Sequence, residues 1–430
     1  MLALPAFLDL FNPPDPALRQ PFTNAAFLPF SLSYYAMAVL VILPHTFVLR
    51  LSLLPFVLWQ AWRCAIGLNL SAGLALSLGV ENGDRLVHWD LIYVVGVIVM
   101  ALRSTEWALT RKPLRRYEPF VEGQHDPVER PLTIPNVLLD ACDLLCNQRG
   151  IRWSWGSKSF LRTLPPSPSL AAVVFKLLLK LTVYDMAIYI VRRIRPLLDT
   201  PGGDTFFDPH LDPLPRAALA GFLTLCGGLI TYTNIDMMYH IASLVGRGLL
   251  RQPAADWPAV SARPWTATSI ADFWSFRWHQ FLRHTFIKFG ARPGGALFGR
   301  PGALLGAFGV SAVLHYVGMW GVGRGLEFSS AGAFFVLMGV GVVLERIWQR
   351  ATGTQVRGFW GWVWTMGWTL FWGTFMLDGW ARHGLIGCDF FSPRLRPGKS
   401  IVDGIITLTA NNQLTNLSSW TSHDHRMNST

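Results

Sequence analysis

Two groups of residues have types and spacings that suggest chemistry. His315 stands in Gly309-Val310-Ser311-Ala312-Val313-Leu314-His315-Tyr316, inside the apolar run from Pro301 to Val322. An ionisable group at that depth is costly in a bilayer and usually faces the bundle interior or a water-filled cavity. On a helix its neighbours three, four, seven and eight positions away include Ala307, Ser311, Ala312, Gly318 and Gly323, all small, with Phe308, Met319 and Val322 on the same face. Two readings stand: close helix packing, or a slot beside an imidazole wide enough for a thin substrate.

The second group runs from Ser269 to His284. Ser269 with Asp272 fits a capping box, so a helix is expected to start there. At about 100° per residue, Phe273, Trp274, Trp278, Phe281 and Leu282 fall on one broad apolar face. Asp272, His279 and Arg283 share a narrow stripe on the other. Such a helix is either interfacial, with a merely solvated polar stripe, or the polar wall of a site. Asp236 and His240 are one turn apart, a spacing that also suits a metal given two more ligands, but a hydrogen-bonded pair is the simpler reading. Cys142 and Cys146 lack a second pair and make no zinc site, so free thiols and no metal are expected.

The elements that must position these residues are membrane helices. Only 15% of the 430 residues are charged and 51% are hydrophobic, against roughly 25% charged in soluble domains. Nineteen Trp and 28 Phe suit the membrane–water boundary. This excludes a disordered chain, a disulfide scaffold and a soluble nucleotide-binding domain. The net charge of +11 lies in loops and forms no continuous patch, so lipid head groups or a phosphorylated co-substrate are expected partners and nucleic acid is not.

The expected fold is an all-α integral membrane protein, a polytopic bundle of about 7–9 spans of some 20 residues each. Apolar runs cover Phe27–Leu49, Leu51–Trp62, Cys64–Val80, Leu91–Leu102, Ser169–Val191, Ala217–Gly246, Pro301–Val322, Ser329–Leu344 and Gly358–Leu377. The expected organisation is an N-terminal segment 1–26, N-terminal transmembrane helices 27–102, a cytosolic basic loop 103–168, a core 169–390 and a polar tail 391–430. Glu345 and Arg346 are expected at a span boundary. Trp360, Trp364, Trp368 and Trp372 form a stripe expected to pack on neighbouring helices. Asn416-Leu417-Ser418 and Asn428-Ser429-Thr430 are glycosylation sequons if the tail is luminal.

Phe273-Trp274-x-x-x-Trp278-His279, followed 36 positions after His279 by the embedded His315, resembles the membrane-bound O-acyltransferase (MBOAT) superfamily. Asp272-Phe273-Trp274-Ser275-Phe276-Arg277-Trp278-His279-Gln280 is similar to the wax synthase branch, with its DFWxRRWHQ-like string. Arg149-Gly150-Ile151-Arg152-Trp153-Ser154-Trp155 resembles an RGIGWNW-like box of fungal members. The match runs in the family's order from Arg149 to the end. Ser275-Phe276 and Arg152 depart from it.

The resemblance implies an MBOAT-like bundle that transfers an acyl group from coenzyme A to a hydroxyl inside the membrane, with no permanent cofactor. His315 would be the general base and His279 would position the donor or stabilise the oxyanion. Asp272, Phe273, Trp274, Trp278 and Ser311 would line the substrate site, and Arg277 and Arg283 would meet coenzyme A phosphates. Acetyl transfer from acetyl-CoA to a lipophilic, terpenoid-type secondary metabolite in the endoplasmic reticulum is the favoured version. A long-chain wax ester synthase is the alternative. A proton-coupled transporter using Asp236, His240 and His315 would instead predict inverted repeats, and the sequence has none. A non-catalytic scaffold would leave His315 dispensable.

Overall fold

The computed structural model describes residues 15, 18–80, 83–119, 128–156, 167–324, 328–388 and 396–409. The two sequons at Asn416 and Asn428 lie outside them. Among the described residues the regular elements are helices, apart from one two-residue parallel strand pair, Gln20–Pro21 beside Leu68–Asn69, and two isolated antiparallel bridges.

The first half holds α1 (Asn24–Ile42), α2 (Phe47–Gly67), α3 (Leu70–Leu78), α4 (His88–Leu109) and α5 (Ile134–Cys146). The run Leu51–Val80 is therefore one long helix and a short one. Their junction is capped by Asn69, whose side chain accepts from Ala72 N–H at 2.8 Å. Helix α4 continues to Leu109 and keeps Arg103 and Glu106 buried, so the basic loop starts after it. Helix α5 buries Val137, Asp140, Ala141 and Leu144 and leaves Ile134, Leu138 and Leu139 exposed. That split is the pattern of a helix lying in the membrane interface. Its thiols Cys142 and Cys146 are free and exposed.

The second half holds α6 (Leu170–Ile194) and α7 (Pro213–Leu244), the short α8 (Ile270–Asp272), α9 (Arg283–Phe286), α10 (Arg292–Val322), α11 (Ala331–Thr352) and α12 (Gly358–Arg382). Among the described residues, five helical stretches are long and apolar enough to cross a membrane: Asn24–Ile42, His88–Leu109, Pro213–Leu249, Arg283–Val322 and Ala331–Thr352. The chain is a multi-pass, all-α membrane protein. Helices α2, α6 and α12 match them in length, with 21, 25 and 25 residues.

The 40-residue stretch Arg283–Val322 is a hairpin. Its backbone leaves the helical region at Phe298 and Gly299, the latter at φ 63°, ψ −153°, where a side chain is strained. A Cβ at Gly290 would strike the Gly306 carbonyl, and one at Gly294 the Gly302 carbonyl. Residues 16 apart on a straight helix would be about 24 Å apart. The arm before Gly299 therefore folds back along the arm that carries His315, glycine against glycine. This geometry brings the 273–282 segment to the depth of His315.

The bundle has two ends. Arg85 meets Asp199 at 2.8 Å, Arg324 meets the Pro201 carbonyl at 2.7 Å, and Val87, Val322 and Cys388 share a cluster at one end. At the other, Arg149 meets the Ala259 carbonyl at 3.0 Å and Trp362 Nε1 meets that of Trp265 at 2.9 Å. The basic residues Arg111, Lys112, Arg115 and Arg116 follow α4 at this second end.

Candidate active site

Ser269 opens the segment as expected: its backbone is extended and its Oγ accepts from Asp272 N–H at 2.9 Å. One α-turn, Ile270–Asp272, passes into a π-turn, Phe273–Arg277, closed by Trp278 N–H on the Phe273 carbonyl at 2.8 Å. Trp278 is then extended (φ −74°, ψ 165°) and the next helix starts only at Arg283. The single amphipathic helix expected over this region is therefore interrupted, and Asp272, His279 and Arg283 do not form one stripe. Packing overrides the helical wheel here. Phe273 stacks on Trp278 at 5.6 Å and 15°. Gln280, 2% exposed, donates to the carbonyls of Trp274 (3.3 Å) and Trp278 (2.7 Å). Those bonds replace helical ones, and π-turns of this kind recur at functional sites.

His315 sits on α10 with Nδ1 2.8 Å from the Ser311 carbonyl. A carbonyl can only accept, so Nδ1 carries the proton and a neutral ring keeps its lone pair on Nε2. One face of the ring is covered by Phe335 on α11, 4.1 Å away at 27°. The same i−4 bond holds His240 to the Asp236 carbonyl and His383 to that of Gly379. The bond alone does not mark a site; its surroundings do.

Those surroundings are aromatic. Trp274 touches Phe308, Phe334 and Phe335 with centroids 6.0, 6.0 and 5.8 Å apart. It thus ties the 273–278 segment to the helices beside His315. His279 lies between Trp278 and Phe281, and its buried Nδ1 has no hydrogen-bond partner among the described residues. Burial first, and the neighbouring His315 second, push its imidazole down to about 3. Both histidines are partly buried.

The structure thus brings His279, His315, Ser311, Phe273, Trp274 and Trp278 together. Arg277 and Arg283, the residues expected to meet phosphates, flank His279 in the chain. Arg277 pairs with Asp272, bonds Thr266 Oγ1 and reaches the Ala262 carbonyl at 3.4 Å, so it fastens the segment to the loop before it. Arg283 is half-buried at the head of the hairpin arm. Asp236 takes Lys180 rather than the His240 ring. Among the described residues no three His, Cys, Asp or Glu side chains converge as a metal site. Trp364 and Trp368 pack on α11, with Trp368 Nε1 on the Leu337 carbonyl at 3.2 Å. Trp360 stays 77% exposed.

Other residues support the site, some named in the sequence for other reasons and some, such as Glu106, not named there. Helix α11 runs past Glu345 to Thr352 with Arg346 exposed, and the Glu345 carboxylate is buried against Ile270 and Ala271. Its partners are backbone N–H groups 75 and 74 positions away, so no local pattern announces the contact. The 149–155 box docks beside the site. Arg149 reaches the Pro258 carbonyl at 2.8 Å, Arg152 pairs with Asp256, and Trp155 packs on His284 at 4.5 Å. His284 Nε2 meets Glu106 of α4 at 2.6 Å, and Arg103 lies 4.3 Å over the Trp155 ring.

Residues 257–337, which contain both histidines, match the membrane bound O-acyl transferase family. That stretch resembles the family. It is 25% identical over 286 residues to an O-mevalon transferase of Aspergillus niger, covering 58% of this chain and 63% of that protein. It is 26% identical to an O-mevalon transferase of Penicillium terrestre, over 62% of this chain and 67% of that one. An acetyltransferase of Rhodocybe pseudopiperita is 23% identical over 73% of this chain and 82% of its own length. The aligned region thus spans just under two thirds of the first relative and about two thirds of the second. These fungal relatives extend the likeness beyond residues 257–337.

Proposed function

We propose that the protein is an acyl-CoA-dependent O-acyltransferase that acetylates a hydroxyl of a lipophilic secondary metabolite. The observation that carries this reading is the enclosed His279–His315 pair, with His315 Nδ1 tied to the Ser311 carbonyl. Nε2 of His315 takes the acceptor's hydroxyl proton while the oxygen attacks the thioester carbonyl. The tetrahedral oxyanion accepts a hydrogen bond from His279, whose Nδ1 carries the proton in that tautomer and has no other described partner. Collapse expels the coenzyme A thiolate, and the His315 imidazolium returns the proton to it. No acyl-enzyme forms if donor and acceptor meet directly.

The short acyl chain is supported by the Trp274, Phe308, Phe334 and Phe335 side chains, which crowd the space beside His315. The terpenoid-type acceptor and the endoplasmic reticulum rest on resemblance to fungal members. The end that carries Arg111, Lys112, Arg115 and Arg116 is taken as cytosolic by the positive-inside bias. Acyl-CoA enters there. The acyltransferase core assigned to 169–390 extends back to Arg149, because that box holds residues 256–259. Asn416 and Asn428 are kept as glycosylation candidates.

Membranes containing the protein, given labelled acetyl-CoA or palmitoyl-CoA with panels of terpenoid and long-chain alcohols, test the substrates. Acetyl ester on a terpenoid alcohol is expected. Palmitoyl ester on long-chain alcohols alone would convert the reading to wax synthesis.

A further inference from the structure

We propose that Glu345 is a positioning residue for the transfer site: from α11 it holds the head of the 270–277 segment and so sets where His279 points. The role rests on the acyltransferase reading above. Glu345 sits where the apolar part of α11 gives way to exposed Arg346, yet it is 7% exposed, and a buried carboxylate is costly unless it is hydrogen-bonded. Its two oxygens accept from Ile270 N–H at 2.5 Å and Ala271 N–H at 3.0 Å, and Trp364 Nε1 donates at 3.1 Å. Ser269 Oγ takes the next donor, Asp272 N–H. The first three N–H groups of the segment are therefore met, two of them by a charge from another helix, which is the stronger kind of cap.

The same face of α11 also shapes the seat. One turn before Glu345 is Gly341, where a Cβ would come within 2.6 Å of Ile270 Cδ1 and 2.8 Å of Trp368 Nε1. Ile270 is fully buried there. At the far end, Gln280 closes the turn on Trp274 and Trp278. His279 hangs between a carboxylate clamp and a carboxamide clamp. Ring placement then depends on the backbone from 270 to 280 rather than on a bond to the ring, whose Nδ1 is left for substrate.

Glu345→Gln and Glu345→Asp in the full-length protein test this, by transfer kinetics and by amide hydrogen exchange on membranes without substrate. A glutamine has one acceptor oxygen, and its NH2 faces the second N–H. The expected kcat loss in Glu345→Gln is about tenfold or more, with KM for acyl-CoA within about twofold. Exchange across 268–280 rises about tenfold while 331–352 stays protected. Glu345→Asp recovers part of both. Wild-type kcat or an unchanged exchange profile in Glu345→Gln overturns the proposal, as does exchange rising across the whole bundle, which would mean general unfolding. A wild type that transfers nothing overturns the acyltransferase reading; a local exchange change would then leave Glu345 a structural cap only.

Discussion

At the scale of single residues, the chemistry rests on which ring nitrogen is free. The Ser311 carbonyl leaves His315 Nε2 as the lone-pair site, and Phe335 shields one face, so a hydroxyl approaches by the ring edge. Phe308 touches Trp274 but does not stack on His315. Phe308→Ala is therefore expected to open room beside the base without moving it. Donor competition between acetyl-CoA and hexanoyl-CoA should shift at least about fivefold towards the longer chain, a change of about 1 kcal/mol, which lies within the range one hydrophobic contact supplies. An unchanged ratio would place the acyl group elsewhere. His315 was legible in the sequence because a charged-type residue in an apolar run stands out. His279 was legible only through the resemblance, since its spacing from Asp272 suggested a helical stripe that does not form.

At the scale of elements, the helical wheel failed where side chains replaced helical bonds. No periodicity announces a π-turn, and the Gln280 carboxamide bonds that close it connect residues two and six apart. The hairpin was hidden for a different reason. Its turn at Gly299 falls before the long apolar run, inside what reads as a polar stretch, and its seam is glycine, which carries no pattern. The seam makes a prediction. Gly302→Val puts side-chain carbon where the Gly294 carbonyl now lies. Overpacking of this sort typically costs about 1–3 kcal/mol, and a backbone contact cannot rotate away. Lower thermal stability and loss of transfer are expected, measured by heating and fractionation of the purified protein. Gly309→Ala, at a position with open space, should change neither. Equal behaviour of the two variants would contradict the hairpin.

At the scale of the whole molecule, hydropathy foresaw the class and most helices, but not how the halves join. Glu106 and Arg103 of α4 reach His284 and Trp155, so the first half braces the site. The loop expected from Arg103 onward starts only after Leu109, because Arg103 and Glu106 are buried against each other and against Trp155 and His284, which lie far along the chain. The two ends also make the proposed sidedness testable. Lys112 is exposed at the end taken as cytosolic, and His210 is exposed near the opposite end, close to the Asp208 that pairs with Arg195. In sealed microsomes, with the cytosolic face outward, Lys112→Cys should react with an impermeant maleimide directly. His210→Cys should react only after detergent. The reverse order would invert the side from which acyl-CoA enters.

The most direct test of the central claim is acyl transfer by wild type against His315→Ala at matched amounts of membrane-inserted protein, reading ester formed and coenzyme A released together. The account predicts both products from the wild type and a loss in the variant of at least about a hundredfold, in the range expected for removal of a general base. Equal transfer by the two proteins would contradict it.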